Sequence, residues 1–115
     1  MIARTRAIGR GDLAATTTVE VIQEFAHVRA RRRPRADART TAMRFVDLLS
    51  PLVEPNGDDL LAGLALFERH DSLGAFDGVL AATVLNREQL TGLMSADSAF
   101  ADVEGLRHLD PAVDA

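Results

Sequence analysis

Between Leu73 and Leu85 the chain reads LGAFDGVLAATVL, a window with one charged side chain, Asp77. A helix written this way is apolar nearly all round, and the spacing predicts that it is largely buried. The rest of the chain must therefore cover it. The same window poses a chemical problem. An unpaired buried carboxylate costs several kcal/mol, or its pKa shifts until it is neutral. Asp77 needs compensation, from a metal ion, from an arginine, or from the backbone N–H groups of a first helical turn.

The segments around this window alternate between strand and helix patterns. LAATTT at 13–18 is β-prone, and VEVIQEFAHVRARRR predicts a helix from about 18 to 33 with Val19, Ile22, Phe25, Ala26 and Val28 near helical spacing. Pro34 ends or kinks it. A second helix is expected over 36–50, with Ala38, Ala42, Phe45, Val46 and Leu49 on one side. Residues 50–55, bracketed by prolines, suit a brief strand, and Asn56-Gly57 is a turn signal. Asp58 and Asp59 open a helix through LLAGLALFERH, acids first as the helix dipole prefers. The apolar helix is expected over 73–89, a strand at 90–95, a short helix over SADSAFADV and a last strand in LRHLDP. Such alternation predicts a single α/β domain over residues 1–115, a parallel sheet covered on both faces.

Composition narrows the class. Hydrophobic residues make up 47% of the 115, which fits a folded chain with one core. No apolar run approaches the roughly 18 residues of a membrane span. The absence of Cys excludes disulfides, thiolate zinc sites and a cysteine nucleophile. The opening MIARTRAIGRGD has no apolar stretch behind it, so a secretory signal is not expected, and a cytoplasmic protein is. Charge is lopsided. Residues 1–50 hold ten Arg against five acids, and residues 51–115 hold three Arg against twelve, so the halves carry +5 and −9. That distribution suits a polyanion partner for the first half and a metal-holding region in the second.

Three acids and one basic run carry the candidate chemistry. Asp97 follows the strand-like LTGLMS, and in open α/β sheets ligands gather beyond the carboxyl ends of strands. Asp97 is equally suited to cap the helix after it. Glu24 lies in line with Glu20, His27 and Arg31 at helical steps, and a solvated polar stripe is its bland alternative. Glu24-x-x-His27 has the spacing of a di-iron ligand pair, but the second such pair and the four long helices are missing. Arg29, Arg31, Arg32, Arg33 and Arg35 are candidate phosphate contacts, or a solvated helix end near the negative pole of its dipole. With no Trp or Tyr and five Phe, backbone contact is more credible than base stacking.

Taken together, the blocks TTVEVIQEF at 17–25, SLGAFDGVLAATVL at 72–85 and LMSADSAF at 93–100, running on into GLRHLDP at 105–111, resemble the PIN domain. They are most similar to the VapC ribonuclease toxins of bacterial toxin–antitoxin pairs. The resemblance covers residues 12–111. It implies that Glu24, Asp77 and Asp97 are the catalytic acids and hold Mg²⁺ or Mn²⁺. It further implies a metal-activated water that hydrolyses RNA, a cognate antitoxin partner and a homodimer. Hard divalent ions do prefer oxygen ligands and polarise phosphate.

The family pattern begins with a hydrophobic strand ending in Asp-x-Asn or Asp-x-Ser, whereas this chain opens on MIARTRAIGRGD. That opening looks like the end of the following helix, and Asp12 stands before the second strand rather than after the first. The expected sheet is therefore N-terminally truncated, lacking its first, central strand and first acid. A start codon called too late or a genuine remnant would both explain this. Two functional readings follow, an active metal-dependent endoribonuclease or an inactive PIN remnant that only binds protein partners such as the antitoxin.

Overall fold

A computed structural model describes residues 1–5 and 13–114. Among these residues four strands and five α-helices follow in chain order, and the backbone packs as two compact units. The first unit comprises Met1–Ala15 and Pro55–Ala115, the second Thr16–Glu54.

In the first unit, β1 (Ile2–Thr5), β2 (Leu13–Thr16), β3 (Leu90–Met94) and β4 (His108–Leu109) form a sheet of order β2-β1-β3-β4. β4 runs parallel to β3, as expected, but β1 runs antiparallel, with Ile2 opposite Leu93 and Ala3 opposite Gly92. The sheet is mixed rather than all parallel. The opening segment, read from its sequence as a helix end, holds a strand between β2 and β3. The physical reason lies in pairing. β3 is buried at Leu90 and Leu93, and its N–H and C=O groups need partners on both edges. Ile2, 1% exposed, packs into that core. Asp12 lies outside the described residues.

Two helices, α3 (Gly57–Arg69) and α4 (Ala75–Leu85), pack against each other, and α4 lies on β3. Ala81, Ala82 and Val84 of α4 join Ile2, Leu73, Leu90, Leu93, Phe100 and Val103 in the core. α4 stops short of the expected residue 89. Arg87 bends back to donate to the Thr83 carbonyl (2.9 Å) and to Asp59 of α3. The two helices meet at paired glycines. A Cβ on Gly78 would stand 2.5 Å from the Gly63 carbonyl oxygen, and one on Gly63 would stand 2.5 Å from the Val79 Cα. Both obstacles are backbone, so neither can turn aside. Gly78→Ala is expected to destabilise the chain by about 1–3 kcal/mol in urea unfolding. The same change at Gly57, where the added carbon meets nothing within 4 Å, serves as the control.

The second unit is built from α1 (Val19–Arg29) and α2 (Arg35–Leu49). Thr18 caps α1, its hydroxyl accepting the Val21 N–H at 3.2 Å. α1 ends at Arg29 rather than 33. Arg31 and Arg32 close short turns onto the Val28 and Arg29 carbonyls, and Pro34 has no N–H with which to continue. The Phe25 and Phe45 rings meet edge to face, centroids 5.0 Å apart, and join the two helices. Ala38, Ala42 and Leu49 are buried, whereas no residue of α1 is fully buried despite its apolar spacing. Buried Thr16 donates to the Leu49 and Pro51 carbonyls, both at 2.9 Å. The brief strand expected at 50–55 reduces to a single parallel bridge between Thr18 and Val53.

Beyond β3 the chain makes a 3₁₀ turn over Ser98–Asp102, and after β4 it enters α5 (Pro111–Asp114). Pro111 thus stops the strand and also starts a helical turn, where a missing N–H costs nothing. Among the described residues, no helix is long and apolar enough to cross a membrane.

Candidate functional site

Asp77 stands in the first turn of α4, whose N-cap is Gly74 with no side-chain cap. The capping role open to Asp77 is not the one it takes. Among the described residues nothing donates a hydrogen bond to its carboxylate, which is half-buried. Burial, followed by the nearby charge of Asp97, pushes its pKa above the ordinary carboxylate value. The positive end of the helix dipole favours an acid in this turn, but that field does not replace a partner.

Asp97 reaches the same neighbourhood from the sheet. β3 ends at Met94, and Ser95-Ala96-Asp97 turn the chain beyond its carboxyl end into the 3₁₀ turn. Here the cap role is real, with Asp97 Oδ1 accepting the Ala99 N–H at 2.9 Å. The Asp97 N–H in turn donates to Ser95 Oγ at 3.1 Å. Asp97 is exposed, so its carboxylate meets water while Asp77 stands on the drier side of the pair. A carboxylate that caps with one oxygen keeps lone pairs on the other for a second partner.

The fold therefore places Asp77 and Asp97 in one unit, near enough for the charge of Asp97 to act on Asp77. Glu24, the third acid, is an exposed residue of α1 in the other unit. One turn earlier on the same helix, the Glu20 Oε2 atom is enclosed and has no hydrogen-bond partner among the described residues. The family resemblance, which matches the acid directly before Phe25, points to Glu24 rather than Glu20. No spacing rule separates the two, because both lie on the same helical stripe. Among the described residues, no three His, Asp or Glu side chains form a ready-made metal cage. The Asp77–Asp97 pair still fits a hard divalent cation. Mg²⁺ characteristically takes one or two carboxylates and keeps water and substrate phosphate as its other ligands. Such an ion would neutralise the repulsion that raises the Asp77 pKa.

The basic run is divided by its contacts. Arg29 is held by Asp37, Nε to Oδ1 at 2.5 Å and Nη2 to Oδ2 at 3.4 Å. Arg31 and Arg35 instead line a groove of about 440 Å³ between α1 and α2, joined there by His27 and Arg39 over an apolar floor. Arg32 and Arg33 are exposed.

Among the described residues Asp59 is a fully buried carboxylate, 1% exposed, which the sequence suggests only as a dipole-favoured helix start. Asp59 and Asn56 form a reciprocal capping box, at 3.0 and 2.8 Å. Arg87 and Asn86 then complete the Asp59 shell, with contacts between 2.8 and 3.1 Å. Burial pushes the Asp59 pKa up, but the hydrogen bonds from Arg87, Asn56 and Asn86 outweigh it and hold the carboxyl below its ordinary value. The capping half was visible as Asn-x-x-Asp at 56–59. The ion pair, which joins residues 28 positions apart, had no local signal.

Neither a family profile nor a solved structure matches the chain. Among curated proteins it is 47% identical over 109 residues to Ribonuclease VapC7 of Mycobacterium tuberculosis (strain ATCC 25618 / H37Rv). That match spans 91% of this chain and 72% of the relative. Likeness at this level over most of both chains, on a mixed α/β fold that brings two of the motif acids together, extends well beyond short blocks. The chain belongs to the VapC family of ribonucleases, the PIN-domain toxins.

Proposed function

We propose that this chain is a toxin-type endoribonuclease that hydrolyses RNA with a divalent metal ion, Mg²⁺ or Mn²⁺, and is neutralised by a cognate antitoxin protein. The observation that carries the proposal is Asp77, a half-buried carboxylate with no hydrogen-bond donor among the described residues and with a second carboxylate beside it. Asp77 and Asp97 would hold the ion, and Glu24 is the third acid of the set. When bound, a divalent ion polarises a phosphodiester and lowers the pKa of a bound water.

The chain's own residues do the rest. Asp77 must be ionised to act as a ligand, and because its pKa is raised, cation binding is expected to weaken on acidification sooner than it would at an ordinary carboxylate. Asp97 keeps its carboxylate aimed by capping the 3₁₀ turn. Arg31 and Arg35, on the rim of the α1–α2 groove, supply charge for the RNA backbone, while Arg29 is engaged by Asp37.

The test is cleavage of RNA by the purified chain with Mg²⁺ or Mn²⁺, with EDTA as control. Glu24→Gln and Glu20→Gln, compared side by side, identify which carboxylate of α1 takes part. We expect Glu24→Gln to lose activity and Glu20→Gln to keep it. No cleavage by a folded chain would overturn the nuclease reading. Arg31→Gln and Arg35→Gln are expected to weaken RNA binding regardless of sequence. Each should flatten the slope of log K against log salt by about 0.7, as one single-strand phosphate contact is lost. Fluorescence titration from low to moderate salt reads both effects.

A further inference from the structure

The turn that carries Asp97 is tied down from β4 at a single residue, Ser95. Its N–H donates to the Leu109 carbonyl at 3.0 Å, and its own carbonyl lies 2.8 Å from His108 Nε2. A carbonyl only accepts, so Nε2 carries a proton and His108 is the donor. β4 is two residues long, so few ladder hydrogen bonds hold it to β3 and the side-chain bond is a substantial share of the attachment. The ring of Phe100, itself buried, lies against the imidazole with centroids 6.2 Å apart, which restricts how the imidazole can turn. From Ser95 the connection continues, its Oγ accepting the Asp97 N–H at 3.1 Å and Asp97 Oδ1 accepting the Ala99 N–H at 2.9 Å.

We propose that His108 is a positioning residue for the Asp77–Asp97 pair. By clasping the Ser95 carbonyl it fixes the turn 95–97, and so keeps the Asp97 carboxylate where its charge reaches Asp77. His108 touches neither acid and acts only through Ser95. This role rests on the reading that the two aspartates hold a divalent cation. Second-layer groups of this kind tune affinity by orienting the ligands in direct contact with the ion.

The test uses the full chain and two variants. His108→Phe keeps a ring against Phe100 and removes the donor, whereas His108→Gln keeps an N–H donor. Two quantities are measured, Mn²⁺ affinity by calorimetry and hydrogen exchange of the Asp97 and Ala99 amides without metal. His108→Phe is expected to weaken Mn²⁺ binding about 10-fold or more and to speed exchange at both amides. His108→Gln should stay close to the wild type in both. Unchanged affinity and exchange in a folded His108→Phe chain would overturn the proposal, as would equal losses in the two variants. If the wild type binds no Mn²⁺, the cation reading fails. Amide exchange then decides the positioning role by itself, slow exchange in His108→Phe overturning it. Should His108→Phe not fold, His108→Asn, whose amide falls short of the carbonyl, carries the same expectation.

Discussion

Replacing Asp77 with Asn is expected to lower metal-dependent RNA cleavage on the order of 100-fold or more while making the metal-free chain more stable. The two effects have one cause. Asp77 is a half-buried carboxylate without a hydrogen-bond donor among the described residues, pushed above its ordinary pKa by burial and by Asp97. A folded-state pKa raised above the unfolded value means that folding favours the protonated form. Stability linked to this group is greatest below the unfolded pKa and declines as pH rises through the folded one. Once ionised, the group therefore works against the fold. The neutral amide removes that penalty, so the Asn variant is expected to be the more stable metal-free chain. The gain should disappear at pH values below the ordinary carboxylate range, where wild-type Asp77 is itself neutral. Urea unfolding of both chains at neutral and acidic pH, with EDTA, measures the stability half. Cleavage of RNA with Mn²⁺ measures the other. A residue of purely architectural value would lose stability on substitution, so a destabilised Asp77→Asn chain would count against the site.

Asp59→Ala is expected to have the opposite character, a loss of about 3–5 kcal/mol with no specific effect on the cation site. Its carboxylate is fully buried and joins three groups at once, the Asn56 end of α3, Asn86 and Arg87. Truncation takes from the Arg87 guanidinium, its side chain 18% exposed, the two hydrogen bonds that it donates to Asp59. Asp59→Ala with Arg87→Leu should show a loss smaller than the sum of the two single changes, since the two side chains share hydrogen bonds that either change removes. The pH dependence also differs in sign from that of Asp77. The Asp59 pKa is lowered in the fold, so its contribution is present above the unfolded carboxylate value and is lost as pH falls through the folded one. Acid unfolding followed by circular dichroism should begin at higher pH in Asp59→Ala than in the wild type.

Asp77 and Asp59 show how far the sequence could be read. One charge in a thirteen-residue apolar window singled out Asp77 as an acid in need of compensation, and that need is present in the structure. The same reasoning placed it in the core, but it is half-buried, and among the described residues it is Asp59, standing among polar residues at a helix start, that water does not reach. Hydropathy averages over a window. Burial of one side chain depends on which residues arrive from elsewhere, here Asn86 and Arg87. Asp97 illustrates a partial success. Its position beyond the carboxyl end of a strand was legible, and so was its capping role, and the structure shows that the two coexist.

The helices α1 to α4, the strands β2, β3 and β4, and the α/β class follow from periodicity and breakers. Those signals are written in neighbouring residues and need no partner to be read. The family, too, was legible in three short blocks of the chain, and the likeness to a VapC ribonuclease bears it out. Tertiary structure alone decided the rest. It made Ile2–Thr5 a strand antiparallel to β3, because strand direction is set by the edge that needs pairing and not by the side chains of the strand. It ended α4 at Leu85 through the pull of Asp59 on Arg87. It also gathered Asp77, Asp97 and the His108–Ser95 clasp in one unit from segments separated in sequence. A carboxylate's neighbours, and therefore its charge state and its use, are properties of the folded chain. Local sequence carries only the backbone that delivers it there.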